Sequence, residues 1–378
     1  MTELYIGLMS GTSMDAIDAA LVQFEGKNQP PSSIGCYSHS LPDELRQNLA
    51  QLIQKPEQVH LDMLGQTNIA LGKQFAAAVN ILLQETEVKP EQVTAIGSHG
   101  QTIRHSPGID SAFTLQIGDP NTIAYKTGIT TVADFRSMDM SAGGQGAPLA
   151  PAFHREVFYS PDENRVILNI GGIANITWLP KDSEAVITGF DTGPGNTLMD
   201  TWIQLKKHQP FDRDGAWAAT GTVNSQLMKT LLADSYLKQH PPKSTGREHY
   251  HLSWLNSILE NFPNLSDEDI QASLCQFSVE SIAKAIETHY PQTQTVIVCG
   301  GGVHNKHLTK QLEARLEKIK VDPSNLHGID ADWVEAIAFA WLARQRIHKQ
   351  KLSLQTITGS EQALLYGNIY ASGAGLPV

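Results

Sequence analysis

Only three cysteines occur in 378 residues, Cys36, Cys275 and Cys299, and they lack metal-ligand spacing. An odd, scattered set gives no disulfide framework and fits a reduced compartment, so all three read as packing residues. Positive charge is scarce as well: 28 Lys and Arg stand against 39 Asp and Glu, a formal net charge of -11. Such a surface disfavours nucleic acid and anionic membranes, although a local basic site could still grip a phosphorylated ligand. Long apolar runs are missing. The longest apolar helix expected, residues 334–343, is far below the ~20 residues that cross a bilayer. No basic segment or apolar signal core precedes the first expected strand, so a cytoplasmic protein without membrane or nucleic-acid partners is expected.

Several familiar motifs are missing too. A Walker loop fails because Gly72-Lys73 is followed by Gln74 and has Thr67 where the first glycine belongs. Gly193-Pro-Gly195 supplies two of the three dinucleotide-binding glycines, with Pro194 stiffening the turn, which argues against a Rossmann cofactor site. No Gly-x-Ser-x-Gly elbow has a strand before it. His304 and His307 have no Cys or His pair to complete a transition-metal set.

What is present is ordinary in bulk and specific in detail. With 41% hydrophobic and 18% charged residues, the chain suits a globule of two α/β lobes. Its centre is the stretch 165–200. Residues 166–170 are a β-branched run bounded by Gly171-Gly172, which reads as a buried strand ending in a tight turn. A second strand returns over 173–179. A third, 185–190, ends at Asp191, and Thr192-Gly-Pro-Gly195 leads into a helix from Asn196. Asp191 could cap that turn or helix, or stand at a strand end as a chemical group.

The amino terminus has a similar layout: a strand at 4–8, small residues at 10–13, and a returning strand at 16–24. Leu61, Leu64, Leu71, Phe75, Val79 and Leu82 mark one face of a long helix. The strand at 93–97 ends in Ser98-His-Gly-Gln-Thr102, making His99 either a turn histidine or a site residue. Asp119, Pro120 and Gly128 have the order of N-cap, first residue and C-terminal glycine of a short helix. A strand at 129–136 carries Asp134 and Arg136 into a glycine-rich stretch, 137–148. That stretch is either an interlobe linker or a loop whose arginine meets an anion. A third glycine turn, Gly300 to Gly302, follows the strand at 296–299, and Glu335 opens the last long helix.

Three glycine turns after strands suit a nucleotide site with two phosphate loops and one nucleoside loop. The wording is more specific: Gly7-Leu-Met-Ser-Gly-Thr-Ser-Met-Asp-Ala-Ile-Asp18, Ser98-His-Gly-Gln-Thr102, Leu168-Asn-Ile-Gly-Gly-Ile-Ala-Asn175, Phe190-Asp-Thr-Gly-Pro-Gly-Asn196 and Gly300-Gly-Gly-Val-His-Asn305. Over nearly its whole length the chain resembles the anhydro-N-acetylmuramic acid kinase family, within the actin, heat-shock protein and sugar-kinase superfamily. Ala16 stands where that family usually has glycine.

The resemblance implies an α/β, two-lobed, actin-like ATPase fold of ribonuclease H-like type, with a nucleotide cleft between the lobes. Its N-terminal lobe would span 1–136, completed by 350–378, and its C-terminal lobe 137–349. It implies an ATP-dependent kinase that hydrolytically opens the 1,6-anhydro ring of an anhydro amino sugar and phosphorylates O6, within peptidoglycan recycling, as a homodimer. Asp191 would be the general base. ATP would be held by Ser10, Gly11, Thr12, Ser13, Met14, Asp15 and Asp18, by Asn169, Gly171, Gly172 and Asn175, and by Gly300, Gly301 and Gly302. Mg2+ would bridge phosphates, with Asp15 or Asp18 orienting its waters. His99, Arg136 and Glu335 would bind the sugar, Arg136 at the lactyl carboxylate. A levoglucosan-type kinase is the nearer alternative, and a partner-switching ATPase the more distant one.

Overall fold

The computed structural model describes residues 2–11, 14, 16–26, 30–246 and 248–373. The chain divides into two compact units: Met1–Val157 with Trp333–Val378, and Phe158–Asp332. The division at 157/158 differs from the lobe boundary expected after residue 136, and the helix bearing Glu335 belongs to the first unit. The physical reason lies in the glycine stretch after Arg136, which folds back on its own unit. Gly144 N donates to Asp139 O at 2.9 Å, Gln145 N to Thr358 O at 2.8 Å, and Glu361 N to Ala142 O at 2.9 Å.

The first unit contains β1 (Thr2–Ser10), β2 (Ala16–Glu25), β3 (Ser32–Ser40), β4 (Val93–Ser98), β5 (Gln101–Ser106), β6 (Phe113–Ile117) and β7 (Thr131–Ala133). The second contains β8 (Arg165–Ile170), β9 (Ile173–Leu179), β10 (Thr188–Pro194), β11 (Thr295–Cys299) and β12 (Lys320–Pro323). Near the carboxyl end, β13 (Asn368–Tyr370) returns to the first sheet. The two main sheets have orders β13-β7-β4-β1-β2-β3 and β10-β9-β8-β11-β12, while β5 and β6 pair apart. In each, three antiparallel strands are followed by two parallel ones, so β3-β2-β1-β4-β7 repeats the order of β10-β9-β8-β11-β12. That order is the ribonuclease H-like fold, present twice, as in actin-like ATPases and sugar kinases.

Sequence chemistry explains the local elements. Every residue of β11 is buried, as a parallel strand covered on both faces requires. In helix Leu61–Thr86, Leu71, Phe75, Val79 and Leu82 are fully buried, but Leu61 at its first position is 84% exposed, so the apolar face starts later than its spacing suggests. Asp119 accepts from Thr122 N at 2.7 Å to cap helix Pro120–Thr127, and Gly128 closes it at φ 72°. Ser266 caps helix Asp267–His289 in the same way, accepting from Asp269 N.

Two strands differ from expectation. The strand expected over 129–136 is only β7, because Asp134 turns left-handed at φ 55° and Arg136 opens the short helix Ser137–Ser141. The strand expected to stop at 190 runs on as β10, because Gly193 and Pro194 pair with Ala174 and Ile173 beyond a bulge at Asp191.

Helix Val334–Ile347 lies across β1 and β4 at backbone contact. Gly7 and Gly97 are paired in register, and a Cβ on either would strike a helix carbonyl, Ala336 O or Phe339 O respectively. Their missing side chains bring the helix that bears Glu335 onto the strands leading to Ser10 and His99.

Candidate active site

In the first unit the parallel strands β1 and β4 end side by side, with Leu8 paired to Ser98 and His99 N donating to Leu8 O at 3.0 Å. Ser10 Oγ, buried, donates to Gln101 Oε1 at 2.7 Å, which pins the end of β1 to the start of β5. His99 is 6% exposed and packs its ring 4.8 Å from that of Phe339. Phe339 stands one helical turn beyond Glu335, so both share the helix face turned to this end of the sheet.

Arg136 donates to His99 Nε2 from Nε at 3.2 Å and from Nη2 at 3.0 Å, and from Nη1 to Gly146 O at 2.7 Å. A guanidinium only donates, so His99 Nε2 accepts and the ring is neutral. Burial and then the Arg136 charge hold the His99 pKa well below its ordinary value. Burial lowers Arg136 to about 10, opposed by Glu335 and Asp139, which leaves it charged at neutral pH. Glu335 retains solvent access, yet the protein packed around it raises its carboxyl; Arg136 lowers it and Asp18 raises it. His99, Arg136, Glu335 and Asp18 therefore form one electrostatic group.

Asp18, on β2 opposite Met9, accepts from Ser38 Oγ at 2.8 Å. Thr12, Ser13 and Asp15 lie outside the described residues. Of the same turn, Gly11 is half-buried and Met14 is left-handed at φ 59°, donating its N to Gly11 O at 3.2 Å. Ala16 starts β2 and is absent from the positive-φ residues, so the alanine there introduces no left-handed strain.

In the second unit, Asp191, Asn175, Asn169 and Cys299 stand in register across β10, β9, β8 and β11. At one strand spacing each, Asp191 is about 10 Å from Asn169. The Gly171-Gly172 turn is tied to the following helix: Gly195 N and Thr197 N donate to Gly172 O, and Asn196 N to Gly171 O at 2.8 Å. Gly300 follows β11 at φ 81°, with Gly301 in open space and Gly302 packed on Ile170. The two glycine turns thus adjoin at the carboxyl ends of parallel strands, where α/β sheets place ligands.

Asp191 caps neither the turn nor helix Thr197–Lys207. Its Oδ2 accepts from Thr245 N at 3.0 Å, its N donates to Lys243 O at 3.3 Å, and Tyr236 Oη donates to its carbonyl at 2.6 Å. The bulge after Asp191 breaks the pairing there and re-aims the side chain. Burial is the largest influence on its carboxyl and raises it from 3.8 to about 6; the Thr245 amide and Lys243 lower it, and Glu248 raises it. A carboxylate poised just below neutral pH is suited to accept a proton.

A family profile described as anhydro-N-acetylmuramic acid kinase matches residues 3–372. The chain belongs to that family. An anhydro-N-acetylmuramic acid kinase of Shewanella frigidimarina is 49% identical over 365 residues, covering 97% of both chains. One of Coxiella burnetii is 47% identical over 368 residues, again covering 97% of both. Among solved structures, the activator of 2-hydroxyisocaproyl-CoA dehydratase from Clostridium difficile matches 93% of this kinase and 98% of its own chain, at 10% identity and a TM-score of 0.47.

In this kinase the structure gathers His99, Arg136, Glu335, Asp18 and Ser10 in one unit. It gathers Asp191, Asn169, Asn175 and the two glycine turns in the other. Sequence reading missed Gln101, Asp139, Tyr236, Lys243 and Thr245, whose roles arise from contacts across 45 to 227 positions or from a backbone amide. Only Gln101 had a signal, its place in Ser98-His-Gly-Gln-Thr102.

The Gly300 turn yields a direct test. A Cβ at Gly300 would strike Asn169 Oδ1 and sit 3.0 Å from Ile170 O, in a left-handed conformation. Gly300→Ala is therefore expected to cost about 1–3 kcal/mol of stability in thermal or urea unfolding.

Proposed function

We propose that this kinase uses water to open the 1,6-anhydro ring of anhydro-N-acetylmuramic acid and ATP to phosphorylate the released O6. The products are N-acetylmuramic acid 6-phosphate and ADP, in the reuse of cell-wall amino sugars. The observation that carries this reading is Asp191, a partly buried carboxylate with its pKa raised to about 6 and one oxygen held by the Thr245 amide.

In the proposed reaction, the other carboxylate oxygen takes a proton from a water as that water bonds to the anomeric carbon. The bond from that carbon to O6 breaks, and its electron pair stays on O6. O6 then bonds to the γ-phosphorus as the bond from γ-phosphorus to the bridging oxygen of ADP breaks. Asp191 returns its proton to solvent. Such a base contributes about a hundredfold to ten-thousandfold.

Binding follows from local chemistry. Arg136, charged and fixed at three donor contacts, suits the lactyl carboxylate, while neutral His99 and Glu335 offer polar groups for the sugar. Ser10, Gly11 and the Gly171-Gly172 turn would offer amides to phosphates, together with Thr12, Ser13 and Asp15, while the left-handed Met14 shapes the first turn, and the Gly300 turn would face the nucleoside. Mg2+ would neutralise phosphate charge. The hard carboxylate of Asp18, beside the Ser10 strand end, would be the type of group that suits the ion's hydration shell.

The test is turnover of anhydro-N-acetylmuramic acid and ATP in oxygen-18 water, quenched early and read by mass spectrometry. One labelled oxygen in the sugar, removable as the anomeric hydroxyl, with unlabelled O6 bonded to phosphorus, is the expected result. Label confined to inorganic phosphate would indicate ATP hydrolysis alone and overturn the reading. Faster turnover of levoglucosan would move the substrate to the simpler anhydrosugar.

A further inference from the structure

Asp139 is fully buried, and none of the chemistry above employs it. Its Oδ2 accepts from Gly146 N at 2.7 Å, and its Oδ1 accepts from Thr358 Oγ1 and Tyr366 Oη, each at 2.7 Å. A buried carboxylate is costly unless hydrogen-bonded, and three donors, one from the adjoining loop and two from the distant carboxyl-terminal segment, meet that need. The chain of contacts continues outward. Gly146, left-handed at φ 70°, turns its carbonyl to Arg136 Nη1 at 2.7 Å, and Arg136 reaches His99. Gly144 is also necessary, because a Cβ there would strike the Asp139 carboxylate.

We infer that Asp139 is a positioning residue of the sugar site: it fixes the Gly146 carbonyl that aims the Arg136 guanidinium, and so sets selectivity for a substrate bearing a carboxylate. This rests on the reading of Arg136 as the carboxylate receptor. The geometry favours positioning over general support because the same carboxylate oxygen that receives Gly146 N lies one peptide from the acceptor of Arg136. Thr358 and Tyr366 hold the other oxygen, so the carboxyl-terminal segment is part of the device.

Asp139→Asn separates the roles. The amide oxygen can still accept from Gly146 N, and the two hydroxyls can rotate to accept from the new NH2 group, so the fold is expected to persist. With anhydro-N-acetylmuramic acid, KM should rise about ten- to a hundredfold, the scale of a misaligned binding group. With 1,6-anhydro-N-acetylglucosamine, which lacks the lactyl carboxylate, and with ATP, KM should stay within about twofold on the same scale. The effect should be less than additive with that of Arg136→Lys.

Equal losses on both sugars, or a lowered Tm with unchanged selectivity, would overturn the inference. Should Asp139→Asn not fold, Tyr366→Phe retains the carboxylate and removes one donor, and the same ratio of KM values decides. Arg136→Lys alone distinguishes the two levels. If it leaves selectivity intact, the Arg136 reading and this inference both fall; if it abolishes selectivity while Asp139→Asn does not, only the inference falls.

Discussion

Asp191→Asn is expected to lower turnover by about a hundredfold to ten-thousandfold, the contribution of a positioned base, while raising thermal stability at pH 8. The two effects share one cause. Burial raises the folded carboxyl from 3.8 to about 6, so between those values the folded state holds a proton that the unfolded state has released. Stability associated with that proton is present below pH 3.8 and is lost as pH rises through 6. Above that window the charged carboxylate opposes folding by about 3 kcal/mol. Asparagine removes the charge and retains an oxygen for the Thr245 amide. Calorimetry should show a Tm increase of a few degrees at pH 8 and none at pH 3.5. In the wild type, kcat/KM should fall as pH drops below about 6, because the proposed base must be deprotonated. A variant with full activity and a lower Tm would make Asp191 a structural group.

Gly7→Ala should have the largest effect on folding. The added methyl would meet Ala336 O, Ala336 C and Ala340 N, all backbone atoms of helix Val334–Ile347, and none can rotate away as a side chain would. Overpacking of this kind costs about 1–3 kcal/mol, and more where backbone must move. The helix bears Phe339, packed on His99, and Glu335, so lifting it should also raise KM for the sugar if the proposed site holds it. Gly11→Ala is the matched control, because among the described residues no atom lies within 4 Å of its added Cβ. Urea unfolding of the two variants compares them directly. Equal stability would show that the helix accommodates the methyl and that its seat on β1 is not set by Gly7.

Local chemistry was legible wherever one residue type decides a short element. Asp119, Pro120 and Gly128 marked a helix, and Gly171-Gly172 marked the turn from β8 to β9. β7 was overestimated because the β-branched run 129–132 begins before pairing does and Phe135 suits a strand by composition, although Asp134 has already turned the chain left-handed. β10 was ended too early because glycine and proline are poor strand formers, yet a bulge allows Gly193 and Pro194 to pair.

By itself the sequence determined the family and the order of most strands and helices, and it named the candidate groups for chemistry: Asp191, His99, Arg136, Glu335 and the glycine turns. These depend on residue identity within short motifs. The tertiary structure alone decided the division at 157/158, the place of residues 333–349 in the first unit, and the surroundings that tune each group. The Asp191 carboxyl is raised by burial and held by an amide 54 positions away, and Asp139 meets donors 219 and 227 positions away. Such settings depend on desolvation and on angstrom-scale contacts between distant segments, which no local pattern encodes.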